Sequence, residues 1–205
     1  LSALTENLDP SLALFADMVR RPHFAPAEIE RVRATWIADI RQQKARPAGM
    51  AGRVLPALLY GADHPYGSQP NGTEESIAAL SREDLVAYHR RWVRPEQATL
   101  VVVGDTTLAE IVPLLERHFG DWAGDGDAAA PVELPRVGLP AVPRVFLIDQ
   151  PGAVQANIFA AHLVPPATDP GAVRLDMANE VIGGDFSARL NMNLREDKHW
   201  SYGAY

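Results

Sequence analysis

Apolar residues recur with a helical period from the start of the chain. Leu12, Leu14, Phe15, Met18 and Val19 follow Asp9-Pro10, an N-cap and a first-turn proline, so the pattern predicts an amphipathic helix over 9–20. Pro22 ends it, and Pro26 opens a second helix over 27–45 with Ile29, Val32, Trp36, Ile37 and Ile40 at three- and four-residue spacing. Its polar face carries Glu28, Glu30, Arg31, Arg33, Asp39 and Arg41. Pro47 closes that helix, and a third is expected over 50–60, kinked or broken at Pro56. Residues 61–73, with Pro65, Gly67, Pro70 and Gly72, read as a loop.

Ser81-Arg82-Glu83-Asp84 has the form of a capping box and heads a helix through Leu85, Tyr88 and Trp92. Residues 98–104, Ala-Thr-Leu-Val-Val-Val-Gly, have the short β-branched pattern of a buried strand. Thr107 and Glu110 form a second capping box, for a helix ending near Phe119. Further strands are expected at 144–149 and 156–163, and helices at 174–182 and 187–196, with Gly183-Gly184 as the break between them. Ser201 to Tyr205 alternates like the opening of another strand.

Between Trp122 and Pro143 the composition turns to Gly, Asp, Ala and Pro, which reads as a linker. The expected organisation is therefore α+β, as two partial domains: residues 1–122, a connection over 123–143, and residues 144–205. The first domain is expected to find its sheet partners upstream of Leu1, which makes the chain a window from a longer protein.

Charge and composition remove several function classes. Lys and Arg number 19 against 26 Asp and Glu, a net charge of −7 without a basic run, which excludes a nucleic-acid-binding face. No apolar stretch approaches the roughly 18 residues of a membrane span. Cysteine is absent, so disulfides, thiolate metal sites and cysteine catalysis are excluded. Residues 1–8 carry neither the basic nor the apolar region of a signal peptide. The six histidines, His23, His64, His89, His118, His162 and His199, include no pair three, four or five apart, so no helix offers two imidazoles to one metal. A Gly-x-Ser-x-Gly elbow and a phosphate-binding loop are both missing.

The last quarter of the chain carries the strongest motif. Gly183-Gly184-Asp185-Phe186-Ser187-Ala188-Arg189-Leu190 precedes a helix ending Leu194-Arg195-Glu196-Asp197-Lys198, followed by Ser201-Tyr202-Gly203. This order resembles the second-half signature of the insulinase/pitrilysin-type zinc peptidases, the superfamily that includes mitochondrial processing peptidase. Pro22-His23-Phe24, His64-Pro65-Tyr66-Gly67, Leu85 to His89 and Val101 to Asp105 are similar to further landmarks of the same family, so the resemblance spans essentially the whole chain.

The resemblance implies an insulinase-type α/β roll, an antiparallel sheet packed by helices. It also implies a clam-shell enzyme in which one half binds zinc and the other, zinc-free, grips the substrate through an Arg and a Tyr. Carried onto this sequence, the substrate-binding pair is Arg195 and Tyr202, with no catalytic or metal-binding residue. Zinc then belongs to the catalytic half of the parent chain or of a partner subunit, where it activates water for attack on a peptide carbonyl. At the family's third zinc-ligand position stands Asp39, one methylene shorter than the usual Glu, and Val32 replaces the Glu seven residues earlier.

The implied partners are a peptide or unfolded polypeptide and the zinc-bearing half, with no nucleic acid and no membrane span. The implied parent is a zinc-dependent metalloendopeptidase, of which this segment alone is inactive. Together with the acidic, cysteine-free composition, the resemblance places that parent in the periplasm or cell envelope. Two alternatives remain open: a non-enzymatic scaffold subunit of the same fold, and a zinc-bearing half whose His-x-x-Glu-His lies upstream and whose third ligand is Asp39.

Overall fold

Short-range capping boxes decide where three of the helices begin. The computed structural model describes residues 1–124, 129–130, 132–139 and 142–205, and they divide into two compact units, Leu1–Ile158 and Phe159–Tyr205. The first unit holds α1 (Leu8–Arg20), α2 (Pro26–Lys44), α3 (Pro47–Tyr60), α4 (Glu74–Ala79), α5 (Arg82–Trp92) and α6 (Leu108–Phe119). Both expected capping boxes form: Ser81 with Asp84 at α5, and Thr107 with Glu110 at α6. A third, Thr73 with Ser76, starts the short α4, which the apolar pattern does not announce. Pro56 lies inside a continuous α3, which Gly61 ends at φ 90°, a left-handed conformation that favours glycine.

Two packing centres hold this unit. Leu12 and Ala16 of α1 and Ile111 of α6 are buried, and Phe15 meets Phe119 edge to face at 6.2 Å. Asp9, at the start of α1, accepts from His118 at 2.7 Å and pairs with Arg117 at 3.0 Å, while Arg20 at the other end donates to the His118 carbonyl. The second centre is α2 against α3 and α4, around Ile40, which is 1 % exposed. Here Glu74 is held by Arg41 at 2.6 Å and Lys44 at 3.1 Å, and Arg33 donates to the Ile77 and Leu80 carbonyls. α5 is tied in through His89, whose Nε2 donates to the Val19 carbonyl at 2.7 Å.

The second unit contains α7 (Ala172–Asn179), which widens into a π-helical segment, Glu180–Gly184, and then α8 (Arg189–Asn191), which widens likewise into Met192–Asp197. Helical backbone thus runs through Gly183-Gly184 instead of breaking before it. Gly183 is buried, and a Cβ there would stand 3.3 Å from the Tyr205 carbonyl carbon, so its missing side chain admits the close approach of the tail.

The expected antiparallel sheet is not formed. Among the described residues there is no strand, and the α+β expectation is corrected to a helical structure. Residues 98–104, 144–149, 156–163 and 201–205 carry no regular secondary structure. The physical reason is that a β-branched run favours a pleated, half-buried surface without supplying one, because each strand exists only through the ladder it shares with another. Among the described residues none of these segments forms a ladder within its own unit, and Val103, Val145 and Leu147 are each more than nine-tenths exposed. The helices needed no such partner, since their hydrogen bonds close within four residues. Among the described residues no helix is long and apolar enough to cross a membrane.

Candidate functional site

Arg195 and Tyr202, seven residues apart in sequence, are brought together in the second unit by a single reversal of the chain. The π-helical segment ends at Asp197, and His199 takes a left-handed conformation, φ 56°. Its Nδ1 donates to the Arg195 carbonyl at 2.9 Å, and the amides of Trp200 and Ser201 both donate to the Leu194 carbonyl. This folds the tail back along the helix, so that the Arg195 guanidinium carbon lies 5.0 Å from the Tyr202 ring centroid. Ser201 then bridges to Gly203, its Oγ donating to the Gly203 carbonyl at 2.6 Å, which fixes a local turn where an extended strand was expected.

The guanidinium has a second aromatic neighbour, the Phe186 ring, at 4.9 Å. Its Nε lies 3.3 Å from the Glu196 carboxylate. The Arg195 side chain is only part-exposed, whereas Tyr202 is 87 % exposed. A planar cation held against two π-faces retains its in-plane N–H donors for a ligand, and a phenol beside it adds a hydroxyl. The arrangement suits backbone carbonyls of an extended peptide. It contains no nucleophile with an adjacent base. Trp200 stands against Lys198, with Nζ 4.6 Å from its ring centroid.

Phe186 and Asn191 join this site unannounced by sequence reasoning. Phe186 was visible only as one letter of the Gly-Gly-x-Phe-Ser motif. Asn191 is wholly buried, and its partners, the Phe186 carbonyl and the Ala204 amide, are contacts that no helical period reveals.

Asp39 and Val32 lie exposed on α2, Asp39 immediately before the buried Ile40. Among the described residues no group of three or more His, Asp or Glu is placed to hold a metal. His64, His89, His118 and His199 each have a ring nitrogen bonded to a backbone carbonyl or to Asp9. Engaged in this way, these four imidazoles form no zinc centre among the described residues. A shallow hollow of about 410 Å³ in the first unit, lined by residues including Leu58, Tyr60, Val137 and Phe146, has its Arg144 bonded to the Leu58 carbonyl.

Comparison with known proteins shows the family of the chain. The family profile described as the peptidase M16 inactive domain matches residues 79–205. The chain belongs to that family, in agreement with its resemblance to the zinc-free half of insulinase-type peptidases. It is similar to an uncharacterized zinc protease of Mycobacterium leprae, 28% identical over 202 residues, covering 98% of this chain and 45% of the relative. It is also similar to the beta subunit of the mitochondrial-processing peptidase of Rattus norvegicus, 27% identical over 200 residues, covering 94% of this chain and 39% of that one. A crystal structure of a peptidase M16 inactive domain from Pseudomonas fluorescens shares the fold, with a TM-score of 0.75 at 22% identity over 97% of this chain and 47% of that one. The chain therefore spans under half the length of these relatives.

Proposed function

We propose that this chain is the substrate-gripping part of the zinc-free half of a zinc metalloendopeptidase, in which Arg195 and Tyr202 hold the peptide for a zinc site carried by the other half. The observation that carries this reading is the convergence of the Arg195 guanidinium and the exposed Tyr202 ring at 5.0 Å. Arg195 donates to carbonyl oxygens of an extended peptide, and to the oxyanion as the scissile carbonyl becomes tetrahedral. Donors fixed before the reaction contribute most there, since they need no reorganisation in the transition state. The Tyr202 hydroxyl adds a further donor beside the same backbone.

The catalytic half lies in the same longer chain or in a second subunit. Residues 1–122 and 144–205 belong on this reading to two successive peptidase-like domains joined through 123–143. The complete protein works on peptides or unfolded polypeptides in the periplasm or cell envelope, a placement supported by the acidic, cysteine-free composition.

The test is Arg195→Ala in the complete gene product, assayed with fluorescein-labelled casein. Loss of a preorganised oxyanion donor costs about 10²–10³ in kcat, and KM rises as well. Wild-type kcat and KM in a correctly folded variant would remove the assigned role.

A further inference from the structure

We propose that Asn191 is a positioning residue for Arg195, holding in place the two aromatic rings that lie against its guanidinium. This rests on the reading of Arg195 and Tyr202 as a peptide-binding pair.

Asn191 is 0 % exposed and sits between Leu190 and Met192 on α8, where an apolar side chain would fill the space without a polar group to satisfy. Its amide is instead used at both ends. Nδ2 donates to the Phe186 carbonyl at 2.7 Å, and Oδ1 accepts from the Ala204 amide at 3.2 Å. One bond holds the loop that carries Phe186, and the other holds the tail two residues beyond Tyr202. The two rings so anchored are those at 4.9 and 5.0 Å from the Arg195 guanidinium carbon. The tail is further confined by the close approach of Tyr205 to Gly183.

A buried amide that bridges two backbone segments fixes their separation, because releasing it strands a carbonyl and an N–H away from water. Arginine is a long side chain with many rotamers, and a donor that is held in place loses less freedom on binding. With Nε beside Glu196, the terminal Nη groups are the donors this arrangement presents to a peptide carbonyl. Asn191 therefore acts on the ligand through Arg195 without touching it.

The experiment compares Asn191→Leu, Phe186→Leu and Arg195→Ala in the complete gene product, with fluorescein-labelled casein as the probe. Phe186 is 48 % exposed, so its replacement by Leu is tolerated while the π-face is lost. Both leucine variants are expected to raise KM about two- to fivefold, the scale of one exposed cation–π contact, and to lower kcat alongside as the oxyanion donor loses its position. A merely structural role would instead lower the amount of active enzyme, reducing apparent kcat at unchanged KM, and that result overturns the proposal. Where Asn191→Leu does not accumulate, Asn191→Asp keeps the volume and the acceptor for Ala204 but loses the neutral-pH donor to Phe186, and the same KM criterion applies. If Arg195→Ala raises KM while the Asn191 and Phe186 variants do not, the positioning role falls and the binding pair stands. If Arg195→Ala itself changes nothing, the binding pair falls and the positioning role with it.

Discussion

Ile40→Ala is the perturbation whose size the structure predicts most directly. The substitution removes three carbons from a side chain that is 1 % exposed and faces the seam of α2 with α3 and α4. At about 0.8 kcal/mol per buried methylene the transfer loss is about 2.5 kcal/mol. A cavity that relaxes only in part brings the total to about 3–4 kcal/mol. For a chain of this size each kcal/mol lowers Tm by about 2–4 °C, so a fall of about 6–15 °C is expected. The assay is thermal unfolding followed by far-UV circular dichroism and tryptophan fluorescence. Trp36 lies on the same helix, with its indole N–H donating to the Asn71 carbonyl at 3.0 Å, so the fluorescence of the four tryptophans includes a reporter on α2. Asp39→Ala is the control, since an exposed neighbour changes stability by about 0.5 kcal/mol or less. A fall of less than about 2 °C for Ile40→Ala would refute the packing of α2 through this residue.

Two further outcomes are expected. Asp9 is held below its ordinary carboxylate pKa of 3.8, chiefly by the His118 hydrogen bond, with burial opposing it and the Arg117 charge reinforcing it. A carboxylate depressed on folding adds stability above its unfolded pKa and loses it as pH falls through the folded value, so acid unfolding below pH 3.8 should be shallower in Asp9→Asn; superimposable pH–stability curves for the two proteins would exclude this clasp. Asp39→Ala should leave the zinc content of the complete gene product unchanged by atomic absorption, because Asp39 stands exposed and outside any donor cluster among the described residues; a stoichiometric loss of zinc would restore it as a ligand.

The elements legible in the sequence are those whose causes are local. The Ser81–Asp84 and Thr107–Glu110 boxes act across three residues, and α2 opens on its own Pro26, so their starts are set within one helical turn; the expected Asp9 cap of α1 is corrected, since that helix begins at Leu8 and the Asp9 carboxylate is taken by His118 and Arg117. Arg195 and Tyr202 were singled out for another reason, the ordered motif from Gly183 to Tyr202 that surrounds them. Residues 98–104 and 144–149 show the opposite case. Their β-branched pattern is a local preference, but a strand is a relation between segments, and among the described residues neither run forms a strand with another. Tertiary structure alone decided that His199 turns left-handed, that the tail folds back on Leu194, and that Phe186 and Tyr202 come to lie against one guanidinium. It also gave Asn191 its place, for a buried amide acquires a role only when chain reversal brings two distant backbone groups within its reach.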